Sequence, residues 1–318
     1  MAGGRPAYSA SLMPQATRIL TYDDEAIAEA ARLVLAGQPV AVPTETVYGL
    51  AADATNAEAV ARIYEAKGRP SFNPLIIHVY TIEEAMRIGS FNKAALALAN
   101  EYWPGPLTLV VPLRRDSGIT SIVTAGLDTI GIRCPAHPAM RALIEAAGRP
   151  LAAPSANASG SISPTRAEHV QKSLGGRIPL IIDAGATERG LESTIIAATD
   201  GDIRLLRRGP IEIPEAKLQR SDAIESPGQL ASHYAPSKPL RLNAKHASPD
   251  EFLIGFGDVA GDVRLSSGGD LLEAAARLFD LLHAAEDSPK PRIAVAPIPD
   301  DGLGAAINDR LRRAAAPR

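Results

Sequence analysis

Between residues 210 and 240 the hydrophobic periodicity of this chain stops, and proline and serine punctuate it instead. Such a run behaves as an extended connector rather than as part of a core. The 318 residues are therefore expected to fold around two cores, since a single core rarely grows past about 250–300 residues. On this division, residues 1–17 form a loose N-terminus rich in small residues and 18–214 a larger domain. Residues 215–237 form the linker and 238–318 a smaller domain.

Composition excludes several classes. The 46% apolar content suits packed cores rather than disorder. With one cysteine, Cys134, the chain can form neither an intrachain disulfide nor a cysteine-based metal cage, which fits a reducing, cytoplasmic location. No signal-like segment opens the chain and no apolar run approaches 18 residues, so no membrane partner is expected. Lys+Arg number 22 against 24 Asp+Glu before Ser226, and 11 against 12 from it onward. Neither part is a basic nucleic-acid-binding domain on this count, though a local basic groove, and with it weak RNA binding, stays open.

Short apolar runs alternate with helical patterns along the chain, which predicts α/β architecture. "TYDDEAIAEAARLVLAG" reads as a helix that starts at Thr21 or a following Asp and stops before Gly37. "TNAEAVARIYEAK" reads as a second helix opened by a capping box from Thr55 to Glu58. Ser163-Pro164 reads as the N-cap and first-turn proline of another. "STIIAAT" and "DIRLLRRG", joined by "DGD", suggest a hairpin. Beyond the linker, "FLIGFG", "DVRLSS", a helix over 270–285, "RIAVAPI" and a final helix predict a small parallel sheet. "GFGDVAG" follows a strand but has the spacing GxGxxxG, so a plain glycine-rich turn is the better reading than a dinucleotide loop.

There is no P-loop, HExxH, Cys/His metal spacing or GxSxG elbow. Four polar interruptions remain. The first is the turn Thr44-Glu45-Thr46, followed one helix later by Lys67 and Arg69, with Asn73 and His78 beyond. Two cations at a helix-to-loop exit, outside any core, suit a polyphosphate, although Lys67 also suits the helix dipole. His78 reads equally as a packed strand histidine. The second is "LDTIGIRCPAHP", where alternation puts Thr129, Gly131 and Arg133 on one face, for an anion or for a surface salt bridge. The third is "APSANASGSISPT", a loop of small residues that a ligand can approach closely, or merely a flexible turn. The fourth is "LESTII" with Arg207, read as sharing a face with Ile203 and Leu205 where an apolar residue is expected. Four such interruptions in one α/β domain predict a ligand cleft.

Taken in order, "PTETVYGL", Lys67-x-Arg69, "NPLIIH", "DTIGIRCPAHP", "PSAN" and "ESTI" resemble the YrdC-like family over residues 18–215. The "SPGQLASHYAP" linker and trailing domain are similar to its long, two-domain members, the threonylcarbamoyl-AMP synthases. This resemblance implies a twisted-sheet YrdC-like domain with a concave cleft, plus a small C-terminal Rossmann-like α/β domain. It implies a nucleotidyltransferase converting L-threonine, bicarbonate and ATP to threonylcarbamoyl-AMP and pyrophosphate. The product would pass to a transferase complex that modifies an adenosine beside the tRNA anticodon.

Carried over by residue, the resemblance assigns L-threonine to Thr46, His78, Arg133, Ala153 and Ser193. Ala153 stands where some relatives carry threonine, so a backbone contact is expected there. It assigns ATP to Lys67, Arg69, Asn73, Thr129, Ser155, Asn157, Ser163, Arg207 and the linker's Tyr234, with Lys67 and Arg69 acting in catalysis. Magnesium would ride mainly on the ATP phosphates, and no general base stands out. Two rival readings are a non-catalytic double-stranded-RNA or ribosome-assembly factor and an enzyme that forms carbamoyl-adenylate from carbamoyl phosphate. Balanced charge weighs against the first, and the absence of zinc-finger or acylphosphatase-like segments against the second.

Overall fold

The computed structural model describes residues 16–199, 202–218, 225–226 and 233–317. Most of the expected loose N-terminus, much of the linker and two residues of the "DGD" turn lie outside the described residues. Thr17, expected to be loose, is tied down. Its hydroxyl donates to the Ile178 carbonyl at 2.6 Å and accepts from the Gly176 amide at 2.8 Å.

In chain order come β1 (Arg18–Thr21), α1 (Asp24–Leu35), β2 (Val40–Pro43), β3 (Tyr48–Asp53), α2 (Ala57–Lys67) and β4 (Ile76–His78). There follow α3 (Ile82–Ile88), α4 (Lys93–Tyr102), β5 (Leu107–Pro112), α5 (Ser121–Thr124), β6 (Thr129–Arg133) and α6 (Pro138–Ala147). β7 (Leu151–Ala152), α7 (Ala167–Leu174), β8 (Leu180–Asp183), β9 (Thr194–Ala197), β10 (Arg204–Arg207) and β11 (Lys217–Leu218) complete one sheet system. The rest comprises β12 (Leu240–Arg241), β13 (Glu251–Gly255), β14 (Val263–Arg264), α8 (Leu271–Asp287), β15 (Arg292–Val295) and α9 (Gly302–Ala314).

The large sheet runs β1-β8-β2-β3-β7-β4-β6-β5-β9-β10-β11 and mixes parallel with antiparallel pairs. The small sheet, β12-β15-β13-β14, is parallel throughout, as the βα alternation predicts. Helices α2, α4 and α7 cover one face of the large sheet through Val60, Ile63, Ala95 and Val170, packed with Leu50, Ile77 and Ile132. Helices α1 and α6 cover the other face near β2 and β8 through Ile27, Val34, Met140 and Leu143. Beside β4, β5, β9 and β10 a smaller apolar group, Ile76, Val110, Ile195, Ala197 and Leu206, includes no helix residue. That face is open to line a cleft. The two sheet systems share a seam, because Val47, Ile162, Leu191 and Tyr234 pack into the core of α8 and α9.

Local signals were redeployed in three places. Asn56, not Thr55, caps α2, accepting from the Glu58 amide at 3.0 Å, while the Thr55 hydroxyl donates to Asp53 at 2.7 Å. Helix α7 starts at Ala167, three residues after Pro164, because the Ser163 hydroxyl is committed to a buried carboxylate rather than to a helix amide. In the β9–β10 hairpin the register shifts between Leu205 and Arg207, so Leu205 faces Ile196 but Arg207 faces Ile195. Neighbouring residues of β9 point to opposite faces, so the bulge moves Arg207 off the face of Leu205 and onto the open one. By contrast, "GFGDVAG" is, as its spacing predicts, a tight turn from β13 towards β14 rather than a loop opening a helix. A Cβ at Gly255 would lie 2.2 Å from the Val259 carbonyl oxygen.

Candidate active site

The open face of the large sheet and the turn after β2 line a cleft. Thr44, Thr46, Arg69, His78, Arg133, Ala153, Ser155, Glu192, Ser193, Arg207, His233 and Tyr234 are among its lining. Alternation and register bring several of them together. His78 of β4 lies beside Arg133 of β6 in the parallel pair, so both side chains emerge on one face.

The turn after β2 is locked by its own hydroxyls. The Thr44 hydroxyl donates to the Val47 carbonyl at 2.7 Å and accepts from the Thr46 and Val47 amides. The Thr46 hydroxyl lies 2.8 Å from that of Thr44 and accepts from Arg133 Nη1 at 2.9 Å. Arg133 Nη2 approaches Glu45 Oε1 to 2.7 Å, a contact of charges rather than an aligned hydrogen bond. Burial pushes the Glu45 carboxyl up, but Arg133 outweighs it and holds the group below the usual carboxylate range.

Arg69 is anchored differently. Its Nε donates to the Asn73 carbonyl at 3.2 Å and its Nη2 to the Pro74 carbonyl at 2.9 Å. Lys67 is buried one layer behind the lining, where its ammonium donates to the carbonyls of Ser155 and Asn157. Neither cation has a carboxylate partner among the described residues. Burial, and then the neighbouring Arg69, holds the Lys67 ammonium well below its ordinary value. Burial also lowers Arg69 to about 10 and depresses Arg207. Charged groups so placed favour any anion that arrives. The expectation that Lys67 and Arg69 stand outside a core is therefore corrected, since both are buried. His78 is held well below its usual value by burial and then by Arg133, so its ring is neutral.

Arg207 donates from Nε and Nη2 to the Ser193 carbonyl and hydroxyl, each at 3.0 Å, and the same hydroxyl lies 2.7 Å from Thr108. Tyr234 has the left-handed φ of 64°, packs on Phe279 of α8 at 5.6 Å and against His233 at 4.1 Å. The segment is pinned through Ala235, whose amide donates to the Gly160 carbonyl at 2.8 Å.

Of the residues expected from sequence, Thr46, Arg69, His78, Arg133, Ala153, Ser155, Ser193, Arg207 and Tyr234 line this one cleft. Lys67, Asn73, Asn157 and Ser163 are buried outside that lining. Thr129 is half-buried at the far end of β6, paired with Pro112, about 13 Å from Arg133 by strand rise. The sequence reading assigned no role to Glu45, although it lies in the polar turn already noted, nor to Glu192, His233 or Arg310. Glu45 and Glu192 sit inside the quoted motifs as carboxylates beside buried strands. Arg310 was signalled by helical spacing, because it shares the face of Ile307, Leu311 and Ala314.

Fold and cleft together define an α/β protein with an arginine-lined cleft on the open face of a mixed sheet. A family profile described as "Telomere recombination" matches residues 32–209, and one described as "Threonylcarbamoyl-AMP synthase, C-terminal domain" matches 191–316. The chain is 40% identical to the threonylcarbamoyl-AMP synthase of Bacillus subtilis (strain 168), over 94% of this chain and 95% of that protein. It is 39% identical to the enzyme of that name from Pyrococcus abyssi, over 90% and 92%. The crystal structure of P. abyssi Sua5 complexed with L-threonine superposes with a TM-score of 0.86 at 36% identity, covering 94% of this chain and 98% of that one. E. coli YciO, at a TM-score of 0.57 and 22% identity over 63% of this chain and 98% of its own, shares the fold. The chain belongs to the threonylcarbamoyl-AMP synthase family.

Proposed function

We propose that this cleft makes threonylcarbamoyl-AMP from L-threonine, bicarbonate and ATP, with release of pyrophosphate. Family membership and the L-threonine complex of the Pyrococcus relative support the reading. The observation that carries it is the pair Lys67 and Arg69, buried beside the cleft on neutral carbonyls with their charge available to a polyphosphate. Thr46, His78, Arg133, Ser193 and the Ala153 backbone take threonine. Arg69, Ser155, Arg207 and Tyr234 take ATP at the cleft wall, and Lys67, Asn73, Asn157 and Ser163 support that wall from behind. Thr129, farthest away, takes part only if the nucleotide extends along β6.

Threonine's amine nitrogen bonds to the bicarbonate carbon with loss of water, and a carbamate oxygen then attacks the α-phosphorus as the bond to the β-phosphate breaks. Negative charge develops on the phosphoryl oxygens and leaving pyrophosphate, so Lys67, Arg69 and Arg207 act by electrostatic stabilisation. Such a nucleotidyl transfer needs alignment and charge neutralisation rather than a protein nucleophile. The one carboxylate in the wall among the described residues, Glu192, is already bonded to Ser163 and Arg310. That donor set fits magnesium held mainly by the phosphates, where it would neutralise their charge. The product would then supply a tRNA-modifying transferase in the cytoplasm.

The test is mass spectrometry of products with a pyrophosphate assay. Release should require threonine and bicarbonate together. Release that ignores threonine, or tight duplex-RNA binding with no adenylate formed, would replace this reading by a rival.

A further inference from the structure

Glu192 is out of place in a cleft for phosphates. Among the described residues it is the only carboxylate that lines the cleft. Left alone, it would repel the ligand that Arg69 and Arg207 attract. It is not left alone. Oε1 accepts from the Ser163 hydroxyl at 2.5 Å, and Oε2 accepts from Arg310 Nε at 2.8 Å.

Arg310 comes from α9, in the small-sheet part of the molecule, and is fully buried. Its other nitrogens donate to Asp309 and to the Arg208 carbonyl, each at 2.9 Å, and its guanidinium lies 5.2 Å from the Tyr234 ring centroid. One side chain thus reaches the cleft carboxylate, the residue after Arg207 and the tyrosine of the linker. The loop carrying Glu192 is seated on the same part of the molecule. Gly190 has a φ of +66°, and a Cβ there would lie 2.3 Å from the Ala275 carbonyl oxygen of α8. Only a glycine lets the loop approach that closely.

We propose that Arg310 is a positioning residue for the nucleotide side of the cleft: it neutralises and fixes Glu192, so that a polyphosphate can enter beside that carboxylate. This rests on the assignment of ATP to the cleft. It makes nucleotide affinity depend on the seating of α9, through a residue that itself touches no reactant. The rival account is that Arg310 merely glues the two parts together.

The two accounts separate in the full chain by rescue. Arg310→Met leaves Glu192 buried without its ion-pair partner, and should weaken ATP binding about tenfold or more by calorimetry while shifting threonine affinity less than about twofold. Adding Glu192→Gln removes the stranded charge and should bring ATP affinity back to within about threefold of wild type. A glue role predicts instead that the double variant is no better than the single one. Wild-type ATP affinity in Arg310→Met, or a deficit that Glu192→Gln does not relieve, overturns the proposal. Should the single variant fail to fold, Arg310→Gln with Glu192→Gln decides. Near-normal ATP affinity supports the proposal, and a loss of about tenfold overturns it. Failure of the wild-type protein to bind ATP would defeat the ATP assignment itself, before any variant is compared.

Discussion

Arg69 and Arg133 line the same cleft and are both buried, but they are held in opposite ways. Arg133 faces Glu45 at 2.7 Å, so its charge is matched within the protein. Arg69 leans on the carbonyls of Asn73 and Pro74, and Lys67 behind it on those of Ser155 and Asn157. A carbonyl satisfies donors without cancelling charge. The Arg133 end is therefore near neutral, which suits a zwitterion such as an amino acid. The Lys67–Arg69 end keeps a net positive field in a desolvated place, which suits a triphosphate. Under the proposed function, the partnering of its cations is what would separate the two substrates.

The largest effects should come from the unmatched end. Arg69→Met and Lys67→Met keep most of the buried stem and remove the charge, and each should cost roughly 2–4 kcal/mol in transition-state stabilisation. Lys67 also organises the loop after β7, since its ammonium and its main-chain carbonyl both bond there. Rates at saturating and at limiting ATP check this. Near-normal values for both variants would remove the phosphate role.

At the matched end the expected loss is smaller and falls on the other substrate. Arg133→Met should weaken threonine by about 1.5–3 kcal/mol, the range of a hydrogen bond to a charged group. It also strands Glu45 in a buried site, so stability should fall by roughly 3–5 kcal/mol unless Glu45→Gln accompanies it. Threonine KM, ATP KM and the urea midpoint, measured for single and double variants, separate the two consequences. An ATP KM that rises as much as the threonine KM would erase the division between the ends.

Tyr234 sits between these extremes, lining the cleft while packing on Phe279. Tyr234→Ala should weaken ATP by about 0.5–1.5 kcal/mol, the scale of an aromatic contact, with threonine unchanged. Unchanged ATP affinity together with a lowered Tm would leave it only the packing role.

Much of this difference was legible in the sequence, and part of it was not. The alternation in "TIGIR" put Arg133 on the face of Thr129 and Gly131, opposite Ile130 and Ile132, because a strand's period of two needs no tertiary information. For Arg207 the period of two misleads, since a bulge between Leu205 and Arg207 resets it and leaves no mark in side-chain chemistry. Lys67 was visible as a cation at a helix exit, but its burial depends on a loop 88 residues further on. The sharpest loss was Arg310. The helical face of α9 marks it as buried, yet its partner Glu192 lies 118 residues earlier, and pairing over that distance is a product of the fold.

The smallest expected effect tests the unmatched end without a mutation as its starting point. In the free protein the Lys67 ammonium is held well below its ordinary value, by burial and then by Arg69. A phosphate nearby favours the charged form and raises that value again, so the ATP complex binds more protons than the free protein. By linkage, ATP affinity must then fall as pH rises through the free-protein value of Lys67, and stay flat below it. Arg69, lowered only to about 10, adds to the fall in more alkaline solution alone. Calorimetry above about pH 8, well clear of a phosphate's own ionisation near about 6, in buffers of different ionisation enthalpy, should show a fraction of one proton taken up per ATP bound. Lys67→Met should abolish the uptake. Proton release, or the same uptake in the variant, would mean that Lys67 does not feel the nucleotide's charge. The contrast with Arg133 would then rest on Arg69 alone.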